Sequence, residues 1–120
     1  MAYDRTNVFA RILRGEIPCN KVYEDAHVLA FHDISPQSPT HVLVIPKGEY
    51  TSFDDFSEKA SADEIAALIR ALGHVAREQG VAETGYRILA NIGRDGHQEV
   101  QLFHVHIVGG RDLGAMLPRR

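Results

Sequence analysis

A chain of 120 residues with 44% hydrophobic content and a formal charge of -3 is enough for one domain with one core. That charge argues against a general nucleic-acid or anionic-membrane binder, and no apolar run approaches the ~20 residues of a membrane span. The single cysteine, Cys19, excludes an intramolecular disulfide framework, and the polar N-terminus carries no apolar signal core, so a cytoplasmic protein is expected.

Thr6 or Asn7 can cap a short helix that carries Val8, Phe9, Ile12 and Leu13 at helical spacing and stops at Gly15 and Pro18. Cys19 lies in the polar segment after Pro18, a setting that suits a bystander rather than a nucleophile. Strand-like runs cover Lys21 to Glu24 and His27 to Asp33, with Glu24, Asp25 and Ala26 as a tight connection. Pro36 and Pro39 make residues 34–39 a loop, because neither ring nitrogen can donate to a ladder. His41 to Ile45 is the most strand-like run, ended by Pro46.

Between Gly48 and Ser61 the chain is polar with two phenylalanines, and a surface connection is expected there. Ser61 and Glu64 form a capping box ahead of Ile65, Leu68, Ile69, Leu72, Val75 and Ala76, the stripe of one long helix that Gly80 stops. Tyr86 to Asn91 reads as a strand, Gly93 to Gly96 as a turn, and Gln98 to Gly110 as the last strand. The expected fold is α+β: a single domain over residues 1–120, a five-stranded antiparallel sheet covered on one face, with one long and one short helix.

The chemistry concentrates in the last strand. Period-two alternation puts Leu102, His104 and His106 on one face, with the Cα atoms of the two histidines on the order of 7 Å apart. Paired imidazoles suit phosphate, proton or metal work; one can act as nucleophile while its neighbour manages a proton. Asn91 and Gln98 offer amide donors for phosphate oxygens, and glycine-rich turns let backbone N–H groups approach an anion. His41 opens the strongest strand and can be aimed at the same place, and Asp33 offers a carboxylate for vicinal hydroxyls such as those of ribose. A zinc set of His41, His104 and His106 is the competing chemistry. Of the remaining histidines, only His97 is expected to border a site.

The stretch from Phe31 to Lys47, the segment Arg14-Gly15-Glu16-Ile17-Pro18, and Gln98-x-Val100 followed by His104-Val105-His106 and Gly109-Gly110-Arg111 resemble the histidine-triad superfamily, Hint branch. The resemblance runs from about Thr6 to Arg111. It implies a homodimeric, nucleotide-binding hydrolase of purine nucleoside phosphoramidates and related nucleoside-monophosphate conjugates. His104 matches the family nucleophile, which forms a nucleotidyl-histidine intermediate. His106 matches the last triad histidine, on the phosphate, and His41 the upstream one. Asp33 matches the ribose carboxylate. Val8, Phe9, Ile12, Phe31, His32, Ile34 and Leu43 match the walls around the base, while Asn91, Gln98 and Glu99 match positions touching phosphate and leaving group. No cofactor, resident metal, nucleic acid or membrane partner is implied.

Two departures follow. Leu102 stands where the family has its first triad histidine, which deprives His41 of that partner and implies reduced or retuned activity; a nucleotide-binding module with weak or no catalysis is the alternative. Asn7 and Ala10 stand where many bacterial members carry a zinc-binding Cys-x-x-Cys, so that zinc site should be missing. The tail from Asp112 to Arg120 differs from the animal forms, and by the resemblance the tail shapes leaving-group preference.

Overall fold

A computed structural model describes residues 3–116; residues 117–120 of the divergent tail lie outside the described residues. The elements in chain order are α1 (Val8–Leu13), β1 (Lys21–Glu24), β2 (Val28–His32), β3 (Thr40–Pro46), α2 (Phe53–Lys59), α3 (Ala62–Glu78), β4 (Tyr86–Leu89) and β5 (Val105–Gly109). The five strands form one antiparallel sheet in the order β1-β2-β3-β5-β4, so β3 and β5 are central and β1 and β4 are edges. This is the expected α+β sheet.

Both α1 and α3 start at the expected caps. The Asn7 side chain accepts from the Ala10 N–H, and Ser61 and Glu64 make a reciprocal capping box. The stretch expected to be a surface connection contains a further short helix, α2. Ser52 and Asp55 close a second capping box at its start, and Phe56 is buried. Aspartate in the place usually held by glutamate or glutamine hid that signature.

Alternation sorts β2, β3 and β5 into two layers. Val28, Ala30, Val42, Val44, Val105 and Ile107 face α3 and pack on its Leu68, Ala71, Leu72 and Val75. Leu29, Phe31, Leu43 and Ile45 point the other way, against Ala10 of α1 and Leu102. The sheet is therefore covered on both faces rather than one, but incompletely on the second. Its cover ends near the middle of β3 and β5, and beyond that limit the second face carries His41 and His106.

The last strand is shorter than expected. Residues 98–104 reach β5 as irregular chain, and Gly110, with φ of 88°, ends the segment where a Cβ would come within 2.9 Å of Pro39. Leu102 nevertheless points to the same face as His104 and His106, fully buried in the apolar cluster under α1.

Candidate active site

The sheet register sets the site. Phe31, Leu43, His106 and Leu89 lie side by side across β2, β3, β5 and β4, and His41, Val108 and Arg87 form the next row. His104 stands one alternation before His106, and their ring centroids are 5.2 Å apart. The Phe9 ring of α1 meets His104 edge-on at 5.0 Å and Phe31 at 5.7 Å, so α1 walls one end. Phe9, His41, His104 and His106, together with Asp33, Ser35, Gln37, Leu43, Asn91, His97, Glu99 and Val100, line a cleft of about 500 Å³. That is the size range of sites that hold small ligands.

Backbone groups fix the protons on the three imidazoles. The Gln37 N–H donates to Nδ1 of His41 at 3.0 Å, so that nitrogen is unprotonated and the ring carries its hydrogen on Nε2. That Nε2 lies 2.9 Å from Nδ1 of His106 and therefore donates to it. His106 is then left with its hydrogen on Nε2. At His104 the order is reversed: Nδ1 lies 2.7 Å from the Leu102 carbonyl, which can only accept, so Nδ1 carries the hydrogen and Nε2 presents a lone pair. One lone pair and one N–H donor stand on adjacent rings.

Burial keeps both rings neutral. It pushes the His104 pKa down, against the opposing pull of the Leu102 carbonyl and the Asp33 and Glu99 charges. At His106 burial, reinforced by His104 and His41, lowers the pKa to about 4. A neutral imidazole with a free Nε2 is a nucleophile, and a neutral imidazole with Nε2–H donates to an anionic oxygen. Asp33 is anchored by the Ser35 N–H at 2.8 Å and faces Nε2 of His41 at 3.5 Å. Lone pairs remain on both of its oxygens for vicinal hydroxyls.

Of the residues singled out from sequence, Phe9, Asp33, His41, Leu43, Asn91, Glu99, His104 and His106 line this cleft, and His97 borders it as expected. Ser35, Gln37 and Val100 line it too and were missed; Gln37 acts through its backbone N–H, which no side-chain pattern reveals. Phe31 is buried behind Phe9, and Ile12 packs with the cluster under α1. Val8 and His32 do not line the cleft, and Ile34, 97% exposed, projects from the 34–39 loop.

Gln98 is spent on structure. Its Nε2 donates to the carbonyls of Thr51 and Val100, and its Oε1 accepts from the Gly93 N–H. Both amide hydrogens are used, leaving none for a phosphate. No glycine lines the cleft, so the expected approach of glycine N–H groups to an anion is not what this site uses. His41 does not lack a partner either, despite Leu102: Gln37 and His106 hold both of its nitrogens.

A metal fits less well than a proton network. The donor atoms of Asp33, His41 and His106 lie within 4.8 Å of one another. Ligation through Nε2 of His41 would move its hydrogen to Nδ1, directly against the Gln37 N–H. The Cys-x-x-Cys positions do not fit zinc: the Asn7 carboxamide caps α1 and Ala10 is a buried methyl beside Leu102. Cys19 is half-buried and burial raises its thiol pKa, consistent with a bystander.

Residues 14–113 match the family model of the HIT domain. The chain is 62% identical over 117 residues to an uncharacterised 13.2 kDa HIT-like protein of Azospirillum brasilense, covering 98% of this chain and 96% of the relative. It is 42% identical over 113 residues to the purine nucleoside phosphoramidase of Escherichia coli K12, covering 94% of each. Among solved structures it superposes on a HIT family hydrolase from Clostridium thermocellum with a TM-score of 0.87 at 36% identity, covering 96% of this chain and 99% of that one. With a matching family model over most of its length and the expected sheet, the chain belongs to the HIT family.

Proposed function

We propose that this protein hydrolyses purine nucleoside 5′-phosphoramidates or related nucleoside-monophosphate conjugates by covalent catalysis on His104. The observation that carries this reading is the pair of opposed tautomers: a lone pair on His104 Nε2, set by the Leu102 carbonyl, beside a hydrogen on His106 Nε2, set by His41, which the Gln37 N–H orients in turn. The similarity to the E. coli purine nucleoside phosphoramidase supports the substrate class.

In this mechanism the base lies against Phe9 and Leu43, and Asp33 accepts from the ribose hydroxyls. His104 Nε2 forms a bond to the α-phosphorus while the P–N bond to the leaving amine breaks. The electron pair stays on the amine nitrogen, which takes a proton from solvent. Nε2–H of His106 donates to a phosphoryl oxygen, and His41 holds that ring in the required tautomer. Asn91, exposed at the cleft, supplies a further donor. Water then attacks phosphorus, breaks the bond to His104, releases the nucleoside monophosphate and returns the proton.

The test is release of AMP from adenosine 5′-phosphoramidate, with a nucleotidyl adduct trapped by acid quench. His104→Ala should lower kcat by at least ~10³-fold and remove the adduct. If the wild-type protein binds AMP well and turns over no phosphoramidate, the chain is a nucleotide-binding module instead.

The same reading includes a homodimer in the cytoplasm. β4 is an edge strand, and α3 covers β1 to β3 rather than β4. Tyr86 and Ile88 of β4, with Ile65 and Ile69 of α3, are consequently exposed apolar side chains that a second copy would cover. Among the described residues no helix is long and apolar enough to cross a membrane.

A further inference from the structure

The hydrogen on His106 Nε2 is decided in the loop between β2 and β3. The Gln37 N–H fixes the tautomer of His41, and His41 in turn fixes that of His106. With that N–H out of reach, the His41 ring is free to carry its hydrogen on Nδ1. Its Nε2 then accepts, His106 must donate from Nδ1, and a lone pair replaces the hydrogen on His106 Nε2. Lone pairs on both His104 and His106 would then face an anionic group. The place of one peptide N–H therefore separates a productive pair of rings from an unproductive one.

The loop that carries this N–H is braced along its length. The Asp33 N–H donates to the His41 carbonyl at 3.0 Å and closes its base. The Ser35 N–H donates to Asp33 Oδ1 at 2.8 Å, and Gln37 Nε2 donates to the Ser35 carbonyl at 3.1 Å. Pro36 and Pro39 have their φ angles locked by their rings. Between them only Gln37 and Ser38 can rotate about N–Cα, so these two residues decide where the Gln37 peptide points.

Ser38 is the residue that ties this pair down. Its Oγ donates to the Thr40 carbonyl, a bond that bridges Pro39 and fastens the loop to the first residue of β3, next to His41. The serine is 8% exposed, so water cannot readily take the place of that bond. The other ties to Gln37 are of a different kind. Arg111 Nη2 reaches its carbonyl at 3.1 Å and its own carboxamide reaches Ser35, both at the exposed surface, where water replaces a lost partner. Ser38 does not line the nucleotide cleft. Its hydroxyl is buried and spent wholly on the backbone.

We infer that Ser38 is a positioning residue for the reaction: its hydroxyl holds the Gln37 peptide over His41 and so keeps the hydrogen on His106 Nε2. The inference rests on the phosphoramidase reading of the same rings. Asp33 Oδ2, 3.5 Å from His41 Nε2, also favours a hydrogen on that nitrogen. Loss of the serine hydroxyl therefore gives a mixture of tautomers rather than a complete reversal.

The experiment reads the rings and the rate separately. In ¹⁵N spectra near pH 8, where free imidazoles are neutral, wild type should show His41 and His106 with hydrogen on Nε2 and His104 with hydrogen on Nδ1. In Ser38→Ala the signals of His41 and His106 should become those of mixtures. His104 should not change, because the Leu102 carbonyl holds it. With adenosine 5′-phosphoramidate, kcat should fall about tenfold and KM should move less than about twofold. Ser38→Thr keeps the hydroxyl and should keep the wild-type tautomers and most of kcat. Should Ser38→Ala not fold, Ser38→Cys, which keeps the shape and weakens the donor, is read in the same way. Unchanged tautomers in the folded variant overturn the inference, whatever the rate does. Shifted tautomers with an unchanged kcat overturn the link to the reaction. A threonine variant as slow as the alanine one assigns the loss to packing and overturns the role of the hydroxyl. A wild type that releases no AMP overturns the phosphoramidase reading, while the spectra, which need no substrate, still decide whether Ser38 sets the rings.

Discussion

His104 and His106 share one site as neighbouring neutral rings. Burial and two neighbouring rings bring the pKa of His106 to about 4 from the ordinary 6.5, and burial lowers that of His104 as well. If catalysis needs the lone pair of His104, the acid limb of kcat/KM should lie below pH 6.5; a limb at or above that value would count against a buried nucleophile. Stability should follow the same groups. The unfolded chain takes up protons at these histidines first as pH falls from 6.5 to about 4, so the folded state loses stability through that window. Thermal melts across it should show a falling Tm, and His106→Asn should flatten the dependence.

Leu102 is the other residue on which the chemistry turned. Its side chain is fully buried with Leu29, Phe31, Leu43 and Ile45, while its carbonyl takes the Nδ1 hydrogen of His104. The backbone thus orients the ring whatever the side chain is. His41 already has partners for both nitrogens. Leu102→His should therefore cost about 1–3 kcal/mol in stability by burying an unpaired polar group. It should change kcat/KM by less than about tenfold, as read by denaturation and the AMP-release assay. A large rate gain would show that the site is crippled by the leucine.

At the scale of elements, the segment from Asn91 to Glu99 is held by one carboxamide. Gln98 ties the Gly93 N–H, the Thr51 carbonyl and the Val100 carbonyl together in a buried position. It joins the turn after β4 to the start of α2 and to the approach of β5. His97, beside it, adopts a φ of 59°, a left-handed conformation that the surrounding contacts must sustain. Gln98→Ala should cost about 1–3 kcal/mol, because it strands buried backbone groups. It should also raise KM more than it lowers kcat, since Asn91 and Glu99 ride on the same segment. Wild-type KM in a destabilised protein would show that the loop does not form part of the site.

α2 belongs at this scale too. Its capping box, Ser52 with Asp55, was present in the sequence, yet its helical pattern is too short to show a stripe. Only the burial of Phe56 against Phe103 and Tyr50 makes it a stable turn of the fold. The segment 98–104 erred in the opposite direction. Its residues alternate like a strand, but the Gln98 contacts and the bond from Phe103 N–H to the Tyr50 carbonyl pull it off the ladder.

Over the whole molecule, the asymmetry of the two sheet faces decides where things bind. α3 closes one face over β1 to β3, and α1 closes part of the other, leaving the groove of His104, His106 and Arg87 on the uncovered part. On the α3 side, β4 is left bare. Ile88 is 52% exposed and Ile69 60%. If a second copy covers them, wild type should run as a dimer in light scattering, and Ile88→Glu combined with Ile69→Glu should shift it to monomer at micromolar concentration. A monomeric wild type would leave that face to another partner.

The sequence by itself determined the strands, the long helix and its caps, and the pairing of His104 with His106. These rest on local periodicity and on hydrogen bonds within a few residues, which a chain carries in its own order. It also put Asp33, His41 and Asn91 forward on chemical grounds. Only the tertiary structure decided the tautomers, because they depend on the Gln37 N–H and the Leu102 carbonyl, backbone groups common to every residue type. It likewise moved Gln98 from ligand to scaffold and brought Arg87 of an edge strand level with His41 of a central one. Such neighbours are set by strand order and register, and those are fixed only when both faces of the sheet have found their cover.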